Sequence, residues 1–466
     1  MNFGDIKNVH FVGIGGIGMS GIAEILAQAG VSVSGCDLKG SSSTDLLARR
    51  GVNVLIGHDA AHLDGVDLVV VTAAVRGKNR EIDAAHERGI RVMRRSEILG
   101  EIVNVKRAVG VAGTHGKTTT SSMIAVVLEE AGLDPTVLVG GMVRNLDTNA
   151  KTGKGEFLVV EADEYDRTFH RLHPEVAVVT NIEADHLEYY GSFEAILEAF
   201  RVFLQGIKPG GSVVACVDDP AVLEIVGAPV SSPPPALNSA GEDTGAPKVV
   251  RYGLSDAATL RATNLEFDER GTTFDVKGVG SFRLFVPGEH NVRNALAAIG
   301  VARELGLEPS VIARGLARFI GVERRFQILG EYAGAIIVDD YAHHPTEIRA
   351  TLSAARRGYP QRRIVALFQP HLYSRTRDFA GDFAAALGVA DVALVAPIYA
   401  AREEPITGIT SRMIAEAGEG IEFLEHTNED IAKQLRGRLQ SNDIFITMGA
   451  GDVHQIGEAL VAGGGS

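Results

Sequence analysis

The chain has 466 residues and a formal net charge of −14, from 45 basic and 59 acidic side chains. This charge argues against non-specific binding to nucleic acid or to an acidic membrane surface, so an anionic ligand would need local basic groups. Hydrophobic residues make up 45% of the sequence, enough for several cores, and a chain of this length is expected to form about three domains.

The two cysteines, Cys36 and Cys216, form neither a disulfide framework nor a cysteine-based metal pattern. We expect both to be buried small apolar residues in a protein of the reducing cytoplasm. No signal peptide is recognisable, and no apolar run reaches the roughly 18 residues of a membrane span.

Residues 1–105 are predicted to form a Rossmann-like domain. A strand at Val9–Val12 leads into a Gly-x-Gly-x-x-Gly sequence at Gly13–Gly18, and a helix follows. The next strand, 31–35, is followed by Asp37, an acidic residue of the kind that binds a ribose in dinucleotide-binding domains. The motif is weak when taken alone, and a diphosphate at a helix N-terminus is a safer interpretation than NAD. Further elements are predicted at 67–72 (strand), 80–89 (helix) and 91–93 (strand).

The segment 113–120, Gly-Thr-His-Gly-Lys-Thr-Thr-Thr, is typical of a phosphate-binding loop. A buried strand is predicted before it at 107–112, and a helix after it that ends at Ala131-Gly132. The glycines allow backbone N–H groups to close around an anion, Lys117 can reach the β- and γ-phosphates, and the Thr118 hydroxyl can bind Mg²⁺. The spacing departs from the common pattern, which has Gly where this chain has Val111. A glycine-rich turn without a ligand is the alternative.

Polar side chains follow two further predicted strands of the central domain. Glu161, Asp163 and Glu164 come at or after the end of the strand 157–160, and Asn-Ile-Glu-Ala-Asp-His at 181–186 follows the strand 176–180. Acidic groups at the carboxyl ends of strands, beside a phosphate loop, are natural Mg²⁺ ligands. Solvated loop charges are the alternative for the acids, and a structural role is the alternative for His186.

The segment 231–247 is rich in Pro, Gly and Ser and is predicted to be a surface loop. The runs 248–252, 271–277 and 281–286 predict an antiparallel edge of the central sheet. A helix opens at 287–291, and its Asn291 and Asn294 share a face, where the two amides could bind an adenine or cap the helix.

The last part of the chain, 321–466, is predicted to alternate strands and helices again, with strands at 335–338, 363–368, 392–395 and 444–447. His and Arg side chains follow two of these strands, which is typical of a site for a small carboxylate or phosphate. A solvated basic face is the alternative. We expect the two strands to be neighbours, which would bring His343 and Arg375 to one rim of the sheet. Residues 463–466 are predicted to be a loose tail.

Taken in order, these motifs resemble the Mur ligases, ATP-dependent enzymes that form amide bonds in peptidoglycan precursor synthesis. The resemblance spans essentially the whole chain, and the segments 13–26, 339–348 and 368–371 are similar to the branch that joins L-alanine to UDP-N-acetylmuramate. It implies three α/β domains: a Rossmann-like N-terminal domain at 1–105, a central P-loop ATPase-like domain with a mostly parallel sheet at 106–320, and a Rossmann-like C-terminal domain at 321–466.

The resemblance also implies a ligand set of ATP, Mg²⁺, UDP-N-acetylmuramate and L-alanine, in a cytoplasmic monomer or homodimer that binds no nucleic acid and does not insert into a membrane. The implied UDP-sugar contacts are Gly15, Gly16, Ile17, Gly18, Asp37, Ser41 and Thr72. The implied ATP contacts are Gly113, Thr114, His115, Gly116, Lys117, Thr118, Thr119, Asn291, Asn294, Arg325 and Asp340. The implied Mg²⁺ ligands are Thr118, Glu161 and His186, the amino-acid contacts are His343 and Arg375, and the catalytic residues are Lys117, Glu161, His186 and His343.

Two positions depart from the pattern of many Mur ligases. Several members carry a carbamylated lysine where this chain has Arg201, fifteen residues after His186. The alanine branch is described as lacking that lysine, so the arginine agrees with the assignment. Leu372 stands where many relatives have Arg, which removes one expected carboxylate contact.

Three other functions are weighed against this interpretation. The related recycling ligase attaches a whole tripeptide to the same nucleotide sugar, but its N-terminal glycine loop differs. An NAD-dependent dehydrogenase would explain residues 9–37 and leave 113–120 without a role. A nucleotide-binding switch would explain the phosphate loop but not the His and Arg residues near the C-terminus.

Overall fold

The computed structural model describes residues 6–72, 75, 78–227, 247–401 and 403–463, and the strands of these residues form three sheets. The predicted loop at 231–247 lies outside the described residues except for Pro247, and the predicted tail does so beyond Gly463. Three largely parallel sheets confirm the predicted α/β fold class.

The first sheet has five parallel strands in the order β3-β2-β1-β4-β5. Because β1 lies at the point where the strand order reverses, the loop that follows it opens at the crevice where doubly wound sheets bind ligands. The elements are β1 Asn8–Val12, α1 Ile17–Gln28, β2 Ser32–Asp37, α2 Ser42–Arg49, β3 Asn53–Ile56, a 3₁₀ turn Ala60–Leu63, β4 Leu68–Val71, α3 Arg80–Glu87, β5 Arg91–Arg94 and α4 Arg95–Asn104.

The second sheet has ten strands in the order β15-β14-β13-β12-β11-β10-β6-β9-β7-β8, and α5 packs on β6, β7 and β9. Its strands are β6 Arg107–Ala112, β7 Thr136–Val143, β8 Thr148–Lys151, β9 Phe157–Glu161, β10 Val176–Val179, β11 Ser212–Cys216, β12 Lys248–Gly253, β13 Leu260–Asp268, β14 Gly271–Val276 and β15 Gly280–Leu284. Its helices are α5 Lys117–Glu130, α6 Leu187–Tyr190, α7 Phe193–Gln205, α8 Pro220–Val226, α9 Glu289–Glu304 and α10 Pro309–Arg318, with a 3₁₀ helix at Tyr165–Arg171.

The prediction for the edge of this sheet was wrong in two respects. The strand β12 pairs in parallel with β11, Ser212 opposite Lys248, and does not belong to an antiparallel edge. The helix α8 lies between the two strands in the sequence and supplies the crossover that a parallel pair requires. The strand β13 was missed, because exposed polar residues interrupt its apolar pattern.

The third sheet has six strands in the order β16-β17-β21-β18-β19-β20, parallel except for β16. The last strand, β21, lies between β17 and β18, so the prediction that the latter two are neighbours was wrong. The elements are β16 Gln327–Tyr332, β17 Ala335–Asp340, α11 Pro345–Gly358, β18 Arg363–Phe368, α12 Tyr373–Leu387, β19 Val392–Val395, α13 Arg412–Ala417, β20 Ile421–Phe423, α14 Asn428–Arg436, β21 Asp443–Met448 and α15 His454–Ala462.

Contacts divide the chain into two compact units. The first comprises Met1–Thr263, Val276–Gly280 and Arg293–Arg318, and the second comprises Asn264–Asp275, Ser281–Val292 and Phe319–Ser466. Within the first unit one apolar core continues from the first sheet into the second, with Phe11 and Leu26 in the same cluster as Phe200. The boundaries of the three predicted domains stay a prediction. Among the described residues, no helix has the length and apolar character needed to cross a membrane.

Candidate functional site

The first glycine loop connects β1 to α1 and is held by the end of β2. The amides of Gly13 and Ile14 donate to the carbonyl of Cys36 at 2.9 and 3.0 Å, and the amide of Gly15 donates to Asp37 Oδ2 at 2.9 Å. Gly16 is the N-cap of α1 and has no side chain to cap it. An anion can therefore take the capping position at the positive end of the helix.

Side chains from other elements surround this loop. Ser41 caps α2 by accepting from the Thr44 amide, and its hydroxyl lies 3.2 Å from the position that a Cβ on Gly15 would take. A Cβ on Gly13 would lie 2.6 Å from Thr72 Cγ2. Asp37, Ser41 and Thr72 are thus brought together around the glycines, as their common assignment to the UDP-sugar predicts.

Arg95 also lies at this loop and was missed by the sequence analysis. A Cβ on Gly18 would lie 2.7 Å from Arg95 Nη1, and the guanidinium also bonds Thr168 Oγ1 at 3.2 Å and faces Asp163 at 3.6 Å. Arg95 directly follows the carboxyl end of β5, the edge of a parallel sheet at which ligands bind. That position was the signal that could have identified it.

The second glycine loop connects β6 to α5 and is braced by the segment that follows β10. The Thr114 amide donates to the Asn181 carbonyl at 3.0 Å, and the His115 amide donates to Asn181 Oδ1 at 2.8 Å. Asn181 Nδ2 and the Thr180 hydroxyl both donate to the His115 carbonyl, at 3.0 and 2.6 Å. The sequence had marked 181–186 as a polar cluster, but not Thr180 and Asn181 as supports of the phosphate loop.

Lys117 begins α5 and is folded back over this loop. Its ammonium donates to Glu164 at 2.7 and 2.8 Å and to the carbonyls of Gly113 and Thr114. Burial alone would lower the pKa of Lys117, but the adjacent carboxylates of Glu164 and Asp163 outweigh it and raise the pKa. The side chain is therefore a fixed cation at neutral pH, and Glu164 is its carboxylate partner.

Glu161 and Thr118 lie together beside the same loop. The carboxylate of Glu161 accepts from the Gly140 amide at 2.5 Å and from the Thr118 hydroxyl, and burial raises its pKa. His186 is the N-cap of α6 at φ 57°, with its ring 5.1 Å from the Tyr165 ring. The oxygen pair is a hard donor set that suits Mg²⁺, whereas the imidazole is a less usual ligand for that ion.

Three further residues predicted to bind ATP lie within helices α5 and α9. Thr119 lies in the first turn of α5, and the next residue, Thr120, donates its hydroxyl to Asn294 Oδ1 at 3.1 Å. A Cβ on Gly116 would lie 2.8 Å from that same oxygen, so Asn294 packs against the phosphate loop. Asn291 Nδ2 donates to the Pro287 carbonyl, four residues earlier, at 2.6 Å, and the role of this amide stays a prediction.

In the second unit, Arg325 and Asp340 lie at the carboxyl end of β17. Asp340 accepts from the amides of Phe326 and Ala342 at 2.8 Å, and burial raises its pKa to about 6. Arg325 lies 3.5 Å from Glu347, and its guanidinium lies 5.2 Å from the centre of the Tyr341 ring.

His343 and Arg375 lie at the same edge of the third sheet although their strands are not adjacent. The His343 ring is 6.1 Å from the His371 ring, and its Nδ1 lies 3.0 Å from the Tyr341 carbonyl. Burial lowers the pKa of His343 to about 4, and the positive charge of Arg375 lowers it further while Glu347 opposes this. His343 is therefore neutral at pH 7, and its ring can donate one hydrogen bond and accept another.

Arg201 lies away from these loops in the described contacts. It is on α7, where its guanidinium bonds Glu224 at 2.8 Å and faces Glu198 at 3.5 Å, with more than a third of the side chain exposed. A guanidinium cannot form a carbamate, and here it makes surface ion pairs.

Three family models match successive parts of the chain. Residues 8–107 match the Mur ligase family catalytic domain, residues 111–302 the Mur ligase middle domain, and residues 324–451 the Mur ligase glutamate ligase domain.

Curated proteins and solved structures agree with these matches. A UDP-N-acetylmuramate–L-alanine ligase of Trichlorobacter lovleyi is 45% identical over 98% of this chain and 99% of its own length, and one of Pelobacter propionicus is 45% identical over 98% of each. The crystal structure of a UDP-N-acetylmuramate-alanine ligase from Thermotoga maritima has a TM-score of 0.80 at 30% identity, covering 98% of both chains. A murein peptide ligase from Psychrobacter arcticus has a TM-score of 0.68 at 26% identity, covering 99% of both chains.

Proposed function

Because this chain belongs to the Mur ligase family, we propose that it is an ATP-dependent ligase that joins L-alanine to the lactyl carboxylate of UDP-N-acetylmuramate in peptidoglycan precursor synthesis. The observation that carries the proposal is the braced loop 113–118, with a fixed Lys117 cation and the carboxylates of Glu161 and Glu164 beside it. A dehydrogenase would have no use for that arrangement.

The chemistry follows from the charge of the substrates. A carboxylate is a poor acyl donor, because its leaving group would be an oxide ion. Attack of the lactyl carboxylate oxygen on the γ-phosphorus of ATP breaks the bond to the β-phosphate oxygen and gives an acyl phosphate and ADP. The free amine of L-alanine then attacks the acyl carbon, the tetrahedral intermediate collapses to the amide and phosphate, and the amine proton is lost. Water would hydrolyse the acyl phosphate, so it has to be excluded.

Different residues would bind the γ-phosphate, the metal ion and the nucleotide sugar. The Lys117 ammonium would exchange its ion pair with Glu164 for a contact with the γ-phosphate. There it would neutralise part of the negative charge of the phosphate and the lactyl carboxylate. Thr118 and Glu161, with His186, would hold Mg²⁺, which would supply further positive charge to offset that of the phosphate and the carboxylate. Loop 13–18 would bind the diphosphate of the nucleotide sugar through amides and the end of α1.

The amino acid is assigned to the third sheet. L-Alanine offers one methyl group, which supplies only about 1–3 kcal/mol of discrimination, so its carboxylate has to provide much of the positioning. Arg375 matches a carboxylate with a planar fork of donors, and neutral His343 beside it can bind or orient the amine. Asn291, Asn294, Arg325 and Asp340 stay proposed ATP contacts, and a cytoplasmic monomer or homodimer stays the predicted state.

Phosphate release measured over a matrix of amino acids and UDP-sugars tests the function. We expect ADP and phosphate only when ATP, Mg²⁺, UDP-N-acetylmuramate and L-alanine are all present. Equal release without the amino acid would contradict ligation. Turnover only with a tripeptide would reassign the chain to the recycling reaction. An enhancement of nicotinamide fluorescence when NADH is titrated into the protein would favour a dehydrogenase.

A further inference from the structure

Five titratable side chains meet on one face of the first sheet, on the side of α3 and the 3₁₀ turn. Four of them surround the fifth, Glu81, whose carboxylate is fully buried in the first turn of α3. Its Oε1 lies 2.6 Å from His62 Nδ1 and 3.6 Å from His10 Nε2. Its Oε2 lies 2.8 Å from Cys36 Sγ and 2.9 Å from His58 Nδ1. None of these five residues has a part in the ligase chemistry above.

His10 has one nitrogen in this cluster that the surrounding residues do not satisfy. The ring is fully buried, and its Nδ1 lies 2.9 Å from the Ser34 hydroxyl. Its Nε2 points towards Glu81 and is buried without a hydrogen-bond partner among the described residues. Buried polar atoms without a partner are rare in folded proteins, so this nitrogen points to a ligand that binds at the cluster.

The spacing of the donor atoms fits a metal ion. One donor atom from each of His10, Cys36, His62 and Glu81 lies within 4.8 Å of the other three. Tetrahedral Zn²⁺, with bonds of about 2.0–2.3 Å to nitrogen, oxygen and sulfur, needs donors about 3.4–3.8 Å apart. The most distant donors therefore have to close in by at most about 1–1.4 Å around an ion, and the pairs now at hydrogen-bond distance, 2.6 and 2.8 Å, have to move apart.

The type of donor selects the metal. One sulfur, two imidazole nitrogens and one carboxylate oxygen form a set that suits Zn²⁺ and its transition-metal neighbours. Mg²⁺ and Ca²⁺ prefer oxygen donors and would bind weakly to this set of sulfur, nitrogen and oxygen donors. We infer that His10, Cys36, His62 and Glu81 form a binding site for a zinc-type divalent ion, separate from the Mg²⁺ site proposed at loop 113–118.

The charges balance when such an ion binds. Burial and the neighbouring Glu81 carboxylate raise the pKa of the Cys36 thiol, so without metal the thiol is protonated and donates to Glu81. Burial disfavours the charge of Glu81, but the surrounding imidazole and thiol groups lower its pKa to about 2. On binding, the Sγ–H bond breaks, the Sγ–metal bond forms and the proton leaves to solvent. Thiolate and carboxylate then neutralise the two charges of the ion.

The site has an entry route and a link to the first glycine loop. The side chains of His58 and His62 are 21% and 18% exposed, so an ion can reach the cluster from the surface. The carbonyl of Cys36 accepts hydrogen bonds from the amides of Gly13 and Ile14. Coordination of the Cys36 sulfur would therefore fix the base of the first glycine loop. This inference does not depend on the proposed ligase function.

Cobalt and zinc titrations of the full-length, metal-stripped protein test the site. We expect one equivalent of Co²⁺ to give a thiolate-to-metal charge-transfer absorption together with intense tetrahedral ligand-field bands, and Zn²⁺ to displace it. Zn²⁺ binding should release about one proton and tighten as the pH rises, because the thiol has to ionise. Co²⁺ bound at the phosphate loop would give no thiolate band. Absence of the band at one equivalent would overturn the inference and leave a metal-free hydrogen-bond network.

Three variants assign the band to the cluster. Cys36→Ser should lose it, and Zn²⁺ affinity should fall at least about 100-fold, since even outer-shell partners are worth roughly 10–100-fold. Cys216→Ser changes the other buried cysteine, on β11, and should retain both the band and the affinity. His62→Gln can keep a hydrogen bond to Glu81 in a partly exposed position, so it should fold and yet lose the rise in melting temperature that Zn²⁺ gives the parent. An unchanged band in Cys36→Ser would overturn the assignment.

Discussion

The two glycine loops of the first unit have the same local setting and differ in where their positive charge comes from. Each follows a strand with parallel neighbours on both sides and leads into a helix. Loop 113–118 carries its cation, Lys117, on the first residue of its own helix. Loop 13–18 has no cation within it, and Arg95 lies beside it from the position that follows β5.

The hydrogen bonds that hold the two loops in place also differ. Backbone groups of β2 and one carboxylate, Asp37, hold the first loop, whereas Thr180 and Asn181 hold the second with several side-chain bonds. A loop that only binds a diphosphate needs amides and a distant charge. A loop that stabilises a transferred phosphoryl group needs its cation fixed against the reacting atoms. The difference agrees with the two roles proposed above, diphosphate binding for loop 13–18 and phosphoryl transfer for loop 113–118.

Removal of the fixed cation should have the largest effect. Lys117→Ala is expected to lower kcat by ~10³ or more, because a charge that stabilises the transferred phosphoryl group is lost. Binding of the UDP-sugar, measured by calorimetry, should change by less than about threefold. The control is Lys154→Ala, which changes an exposed lysine in the segment between β8 and β9. Near-normal turnover in a folded Lys117→Ala would contradict the catalytic role.

Alanine substitution should distinguish the backbones of the two loops. Gly113 has φ +139°, and a Cβ there would overlap the Thr180 hydroxyl, so Gly113→Ala should lower the free energy of unfolding by about 2–4 kcal/mol. Gly16 has φ −66°, and the nearest atom to its Cβ would be the Gly13 carbonyl oxygen at 3.7 Å. Gly16→Ala should stay within about 1 kcal/mol of the parent. Denaturant unfolding of both variants measures the contrast, and equal losses would refute it.

Removal of Arg95, the cation beside the first loop, should have a smaller effect. Arg95→Ala should raise the KM for the UDP-sugar about tenfold, the value of one charge-assisted contact, and leave the KM for ATP within about threefold. Arg91→Ala is the control, because Arg91 lies at the opposite end of the same strand and pairs with Glu101 at the surface. If the two variants behave alike in steady-state kinetics, Arg95 has no part in the diphosphate site.

Bicarbonate should have no effect at all on the catalytic loop. Arg201 makes ion pairs with Glu198 and Glu224 and cannot be carbamylated. Enzyme stripped of CO₂ should keep its full rate without added bicarbonate. Recovery of a lost rate on addition would show that another lysine carries a carbamate.

Much of the fold was predictable because its signals are local. The strand 107–112, the glycines and Lys117-Thr118 define a strand–loop–helix within about 25 residues, and β18 and β19 were predicted with their observed bounds. The order of the motifs was enough to identify the family, since each motif stays in sequence whatever its partners in space. Burial of Cys36 and Cys216 is confirmed as well.

The tertiary structure decided which strands and side chains meet. A short apolar strand looks the same in either direction, so only the crossover through α8 made β12 parallel, and only the late return of the chain placed β21 between β17 and β18. Arg95 reaches Gly18 across the sheet edge from a residue 77 positions later in the chain. Cys36 and Glu81 likewise meet through packing alone. Periodicity and turn chemistry are properties of neighbouring residues, whereas sites built from distant segments exist only once the sheet order is set.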